Sequence, residues 1–326
     1  MVSIFREKSS VSVFWLIALS IVIHSHFIIA PPQVILSNHD GCLQGLLSPL
    51  TGLPSVVLVL LYHAIVIIQA LRLSVVLNNL RMFPKQYFIP ALCYLLLTAL
   101  YPLWNNLTPS LLINFFVIWL FSLTAKLYSA PRPKPLIYNI GLLVGFISLL
   151  YPPALFFIVT SFFALLLLRA FRLNEWMILL LGIVTPVYLF AAVLFLNDNL
   201  NRFLALLPHF HWHLLPIQNQ SPLVITFIAG ALLIVSGIFA WQANVGKMVI
   251  QTRRCWSVIF FMFLFSIPLL FGISGEDMPA LLLGMVPAAA LSSNTFVYAK
   301  NNLIQTILFW LVVLAVIFNN WFWLKT

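Results

Sequence analysis

Apolar runs separated by short polar breaks, many of them marked by proline or glycine, follow one another along almost the whole chain. A bilayer core about 30 Å thick takes roughly 20 apolar residues as a helix. Only helices and closed barrels satisfy every backbone amide there. The pattern predicts helices over 11–30, 54–76, 87–104, 110–128, 137–150, 154–171, 175–196, 222–242, 255–273, 279–298 and 301–323. The expected fold class is therefore all-α, a polytopic transmembrane bundle of about eleven spans that forms a single integral membrane domain over 1–326.

Composition leaves little room for anything else. With 63% hydrophobic and 7% charged residues, no stretch is long and polar enough for a soluble domain. The first run follows Arg6 and Lys8 and ends at Pro31-Pro32 without a small-x-small cleavage pattern, so it reads as a retained span.

Charge then orients the bundle. With a cytoplasmic N-terminus, Arg6, Lys8, Arg72, Arg81, Lys85, Lys126, Arg132, Lys134, Arg169, Arg172, Lys247, Arg253, Arg254 and Lys300 fall on the cytoplasmic side, and only Arg202 and Lys325 fall outside. Basic residues in short loops resist translocation, so fourteen of the 16 on one face support an odd span number and an outside C-terminus. The net charge of +10 is scattered at span ends rather than clustered with stacking aromatics, which argues against a nucleic-acid partner. Cys42, Cys93 and Cys255 fall in unrelated settings and imply neither a disulfide nor a thiolate metal site.

Two finer features bear on organisation. The runs on either side of Tyr151-Pro152-Pro153 are short, which suggests a tilted or re-entrant hairpin. Pro84-Lys85 leading to Leu100-Tyr101-Pro102 is echoed by Pro133-Lys134 leading to Leu150-Tyr151-Pro152, a pattern open to duplication or to ordinary membrane punctuation. Trp104, Trp212, Trp321 and Trp323 at outer ends, with Trp176 and Trp256 at inner ends, are expected as headgroup anchors.

Candidate chemistry gathers on the outer side, where all seven histidines and the acids Asp40, Asp198, Glu276 and Asp277 fall. In the first outer loop, Ser37-Asn38-His39-Asp40-Gly41, Asp40 is a candidate general base with His39 or His63 beside it; the same residues also make an ordinary turn. The longest outer loop carries Arg202, whose guanidinium suits a phosphate headgroup or simple anchoring. It also carries His209, His211 and His213, which share a face only in an extended strand. Glu276 and Asp277 lie in an outer turn where they can pair with Arg202, bind a divalent cation or remain solvated. No cofactor or structural metal is otherwise implied. On the inner side, Arg169 through Trp176 reads as a structural elbow with locally paired charges. Walker, HExxH, CxxC and dinucleotide-binding signatures are missing.

Phe5-Arg6 before the first span, the first-loop segment and the Tyr-Pro turns, with Arg169-x-x-Arg172-Leu-Asn-Glu175-Trp176 and then Leu181-Gly182-x-x-Thr185-Pro186-x-Tyr188, resemble an uncharacterised family of Bacteroidota polytopic inner-membrane proteins. Members are often labelled beta-carotene monooxygenases. That label implies iron-binding histidines in a β-propeller, which this helical pattern does not offer. More distantly, an acid in the first outer loop of a many-spanning chain resembles glycosyltransferases that use polyprenyl-phosphate sugars, and O-antigen polymerases. That resemblance implies a bacterial inner-membrane location, Asp40 as base and Arg202 as lipid-phosphate contact, although this loop has one acid where those enzymes carry a pair. The expected function is transfer of a lipid-linked sugar or envelope glycan at the outer leaflet. The expected partners are membrane lipids, a polyprenyl-phosphate-linked glycan and other envelope proteins. A transporter or flippase, and a non-catalytic subunit of an envelope complex, are the alternatives.

Overall fold

The computed structural model describes residues 2–7, 9–36, 41–199, 220–270, 275–299 and 302–323. These form α1 (Ser10–Ile23), α2 (Leu43–Leu47), α3 (Ser55–Asn79), α4 (Ile89–Thr98), α5 (Pro109–Lys126), α6 (Pro133–Leu150), α7 (Phe156–Leu168), α8 (Leu173–Leu196), α9 (Gln220–Asn244), α10 (Ile250–Ser266), α11 (Met285–Tyr298) and α12 (Asn302–Trp323). Among the described residues the only sheet-type pairing is an isolated bridge between Val34 and Leu107. Eight of the described segments are long and apolar enough to cross a membrane: α3, α5, α6, α8, α9, α10, α11 with the turn before it, and α12. Helices α1, α4 and α7 are shorter and apolar.

Start signals explain where several helices begin. Ser9 caps α1 by accepting from the Ser12 amide at 3.3 Å. Thr108 caps α5 from the Leu111 amide at 3.4 Å, with Pro109 in the first turn, where its missing N–H costs nothing. Proline in the first turn likewise starts α6 at Pro133, four residues before the apolar run expected there, and gives that helix full spanning length. The expected short hairpin is therefore short only in its second arm, α7. The 87–104 run behaves differently: α4 ends at Thr98, and the chain turns through Tyr101 into a 3-10 turn at Pro102–Asn105. The Tyr-Pro echo has a local structural basis, because Tyr101 and Tyr151 are both extended and each is followed by a proline-led 3-10 turn.

Two helices make the axis. All ten residues of α4 are buried. The apolar window containing α11 is 89% buried, against 22% for α8, which identifies α11 as the innermost long segment and α8 as the most lipid-exposed. Ala288, Ala289, Ala290, Ser292 and Ser293 keep α11 slim, so α4 and α9 approach it closely. A Cβ on Gly237 of α9 would run into the Leu291 carbonyl. A polar chain crosses this axis: Gln69 of α3 donates to Leu111 O (2.6 Å) and accepts from Tyr94 of α4 (2.8 Å). Asn114 of α5 then donates to Tyr94 and to Leu282 O, both at 3.1 Å.

Helices α6 and α8 pack through glycine. Gly141 of α6 meets Gly182 of α8, and Gly145, one turn on, meets Ile183 and Pro186; a side chain at any of the three glycines would strike backbone of the facing helix. With lipid as apolar as leucine, such close backbone approach supplies the van der Waals contact that holds the helices together.

The two bundle ends differ. At one, Arg6 donates to Phe296 O (3.1 Å) and Gln305 (2.9 Å), Arg254 donates to Leu167 O (2.7 Å), and Arg169 makes a bidentate ion pair with Glu175 at 3.0 and 3.2 Å. Trp176 packs there against Phe162 and Phe171 with its ring tilted to both, so the Arg169–Trp176 stretch is a paired structural elbow. At the other end, Trp104 donates to Met278 O (3.1 Å) and Trp321 donates to Ser25 Oγ (3.2 Å). Trp104 and Trp256 are corrections to the headgroup-anchor expectation. Both are buried, and their indole N–H groups satisfy the carbonyls of Met278 and Met82 inside the bundle. Trp212 lies outside the described residues.

Replacing Gly145 by Leu is expected to destabilise the protein by about 1–3 kcal/mol through overpacking. Gly45→Leu, with nothing within 4 Å of its Cβ position, is expected to be near neutral. Thermal unfolding of both variants in detergent checks the contrast.

Candidate functional site

The densest polar cluster at the tryptophan-capped, less basic end begins with an unfinished helix. Because α4 stops early, its terminal carbonyls need donors that water would otherwise provide. Adjacent asparagines near the C-terminus of α12 supply them: Asn320 donates to Ala99 O at 3.2 Å, and Asn319 donates to Leu100 O at 2.9 Å. Thr226 of α9 adds a bond to Leu100 O at 3.0 Å, and Asn319 also reaches Pro222 O (3.2 Å) and Thr226 Oγ1 (3.0 Å). Helices α4, α9 and α12 are thereby clasped together.

From this clasp a chain of hydrogen bonds runs sideways. Asn105 donates to Asn320 Oδ1 at 2.8 Å, which points its own Oδ1 at Tyr62 of α3, 3.3 Å away. The Tyr62 hydroxyl is also 3.3 Å from His24 Nε2. His24 Nδ1 is 2.9 Å from Ser20 O, and since a carbonyl only accepts, that nitrogen carries the proton. The neutral ring therefore presents Nε2 as an acceptor, and one phenolic proton stands between two acceptors, Nε2 and Asn105 Oδ1. Ser20 Oγ closes the chain on His63 Nδ1 at 2.8 Å.

Aromatic packing holds the rings in place. Phe27 stacks on His24 with centroids 5.0 Å apart and meets Tyr62 and His63 edge-on at 5.2 and 5.7 Å. His24 lies 5.3 Å from His63 and 6.0 Å from His26 between centroids. Even so, no three His, Cys, Asp or Glu side chains converge to hold a metal ion among the described residues.

Above this cluster lies a groove of about 460 Å³ on the flank of the bundle. Its walls are Ile21, Val22, Phe27, Ile28, Val59 and Ile317, and its polar floor is His24, Ser25 and His63. His63 is half-buried, with Nδ1 bound to Ser20 and Nε2 unengaged among the described residues.

Of the site residues expected from the sequence, His63 is placed in this cluster, beside His24 and His26. His39, Asp40, Arg202, His209, His211 and His213 lie outside the described residues, as do the side chains of Glu276 and Asp277. Both flanks of the Ser37–Asp40 loop are fixed. Before it, Leu107 donates to Gln33 O (2.9 Å) and Ile35 donates to Leu107 O (3.2 Å). After it, Cys42 donates to Leu149 O (3.4 Å), and Gly41, at φ +60°, sits where a Cβ would strike Leu149, Leu150 and Pro152.

Asn105, Asn319, Asn320, Tyr62 and Thr226 were not singled out by reading the sequence. The asparagines were visible as amides inside or beside apolar runs, but Asn319, Asn320 and Thr226 bond main-chain carbonyls at a helix end that composition does not reveal, and Asn105 and Tyr62 are positioned through side chains distant in sequence. Comparison with protein-family models, with curated proteins and with solved structures finds no match to this chain.

Replacing Asn320 by Leu leaves Ala99 O and the Asn105 amide unpaired in a buried setting, and is expected to cost about 1–3 kcal/mol. Half-buried Asn244→Ala breaks one bond to its own helix and is expected to cost a fraction of that. Unfolding monitored by tryptophan fluorescence in detergent compares them.

Proposed function

We propose that this chain is a bacterial inner-membrane protein with eleven crossings, a cytoplasmic N-terminus and an outside C-terminus, which transfers sugar or glycan from a polyprenyl-phosphate carrier at the outer leaflet. The observation that carries the reading is the fixing of both flanks of the Ser37–Asp40 loop, at Leu107 and at Leu149–Pro152, on the end of the bundle that also holds the histidine and asparagine cluster. A base on a segment whose two flanks are both fixed is suited to holding an acceptor hydroxyl in place for transfer.

In this reading Asp40 takes the proton from the acceptor hydroxyl as that oxygen attacks the anomeric carbon, and the carrier leaves as its phosphate. His39 assists Asp40. Arg202 meets the carrier phosphate, and His63, His209, His211, His213, Glu276 and Asp277 line the sugar-binding region. The resemblance to the Bacteroidota inner-membrane family belongs to the same proposal. The eleven crossings rest on eight long apolar helices plus α1, α4 and α7. Short helices sit in a bilayer where neighbours and side chains satisfy their ends, which is what Asn319 and Asn320 do for α4.

One observation favours transport instead. The axis contains an interrupted helix, α4, and a ten-residue 3-10 segment, Gly275–Gly284, before α11, with Gln69, Tyr94 and Asn114 between them. Broken helices around buried polar groups recur at transporter substrate sites.

Asp40→Asn in full-length protein in nanodiscs is expected to lower sugar transfer from a polyprenyl-linked donor by about 10²–10⁴-fold. Undiminished transfer sinks the assignment and leaves transport as the stronger reading. For topology, single cysteines at Thr51 and at Lys126 in a cysteine-free background are expected to label with a membrane-impermeant maleimide in intact cells at the first position only. Labelling of both, or of the second alone, contradicts the orientation.

A further inference from the structure

The flank groove has two features that together specify an occupant. Its walls are apolar, and its rim residues Ile21, Val22 and Ile28 are 59%, 55% and 88% exposed on a surface whose solvent is lipid. Its floor is polar, with His63 Nε2 unengaged. Ser25 Oγ accepts from Trp321 and keeps its own proton to donate. An acyl or isoprenoid chain satisfies the walls, and an oxygen-bearing head satisfies the floor.

Charge selects the kind of head. None of the lining residues is Lys, Arg, Asp or Glu. Placing an unpaired phosphate against these walls carries a far larger desolvation cost than placing a hydroxyl or carbonyl there. A neutral imidazole and a serine hydroxyl are matched to one uncharged oxygen, whichever tautomer His63 adopts: its Nε2 donates to the head if protonated and accepts a hydroxyl proton if not. Size agrees, since about 460 Å³ lies within the range of ligand pockets and holds roughly fifteen water-sized groups, a head and the first dozen or so chain carbons. The remaining chain extends into the bilayer.

We propose that this groove is a docking site for a neutral long-chain lipid, a prenol, quinone or glyceride type of molecule, whose uncharged oxygen hydrogen-bonds His63 and Ser25. It is distinct from the carrier-phosphate contact of the transfer reading, with which it shares only His63, and it does not depend on that reading. The hydrogen-bond chain behind the groove fixes the two histidines: His24 is held by Ser20 O and Tyr62, and His63 by Ser20 Oγ. The floor is therefore already in place before the lipid arrives.

The test uses the full chain in phosphatidylethanolamine and phosphatidylglycerol nanodiscs doped with undecaprenol or undecaprenyl phosphate, with bound lipid counted by native mass spectrometry after release. Wild type is expected to retain one undecaprenol. Val59→Trp, which fills the groove, and His63→Phe, which removes the floor contact, are each expected to lower retention at least tenfold. Ile68→Trp, nine residues on and therefore on the opposite face of α3, is expected to leave it unchanged. Undecaprenyl phosphate retention is expected to be unaffected by Val59→Trp. Equal loss with Ile68→Trp means ordinary surrounding lipid only and overturns the proposal, as does retention in Val59→Trp. Phosphate-headed lipid displaced as strongly by Val59→Trp overturns the neutral-head assignment. If His63→Phe does not fold, Val59→Trp decides alone, because Trp there remains apolar on a lipid-facing surface.

Discussion

The structure depends on how it satisfies the carbonyls left open where α4 stops. A ten-residue helix at the axis of a membrane bundle exposes main-chain acceptors at a depth where donors from solvent are scarce, and each unpaired group is costly. Asn319 and Asn320 of α12, with Thr226 of α9, donate to those acceptors. This choice fixes the arrangement of three helices at once. It also has a consequence further out. Asn320 engages its amide with Ala99 and therefore turns its oxygen to Asn105, which turns its own oxygen to Tyr62, and so on to His24 and Ser20. The histidine cluster and its groove are thus the far end of a chain of donors and acceptors that begins with a helix terminus.

Apolar packing and polar bonding are divided between different parts of the bundle. Where α6 and α8 meet, Gly141, Gly145 and Gly182 bring backbones into contact without any polar pair at the crossing, apart from the Tyr138–Thr185 bond at 3.1 Å nearby. Around α4 and α11 the contacts are made by small residues as well, but they are tied by Gln69, Tyr94 and Asn114. A glycine seam holds two helices through shape alone and tolerates sliding along it. A hydrogen-bonded axis fixes register, because moving any member by one residue leaves buried donors and acceptors unpaired. Fixed register matters at the end where the chain flanking residues 37–40 is held, since those flanks hang on Leu107 and on the C-terminal end of α6 at Leu149, whose positions follow from it.

The helices were legible in the sequence because lipid imposes one demand that composition records directly: long apolar stretches with polar breaks. Each of the eleven expected runs coincides with a helical segment or with a helix and its adjoining 3-10 turn. What the runs did not show was that the segment after Phe88 is helical only to Thr98. Hydropathy continues across Leu100-Tyr101 without a break, and only the geometry of Pro102 and the distant amides decides where the helix ends. The Arg169–Glu175 pair was legible for the opposite reason: both charges lie six residues apart in one turn, so the partner is local.

The candidate site was legible only in part, and the reason is again the solvent. Ionisable residues are rare in such a chain, so attention goes to Asp40, Arg202 and the histidines, and His63 does fall in the polar cluster. The residues that organise the cluster are uncharged amides, and their role comes from long-range partners: Asn105 to Asn320, Asn320 to Ala99, Asn319 to Leu100. In water such amides bond to solvent and say little about structure. In a bilayer each must find a protein partner, so an asparagine in an apolar run is a statement about where some main chain is left open. Reading Asn319-Asn320 in that way, as a pair of donors owed to an interrupted helix elsewhere in the bundle, turns a weak compositional signal into a structural one. It also explains why the rings that share this chain, Tyr62, His24 and His63, sit beside the groove rather than in the axis.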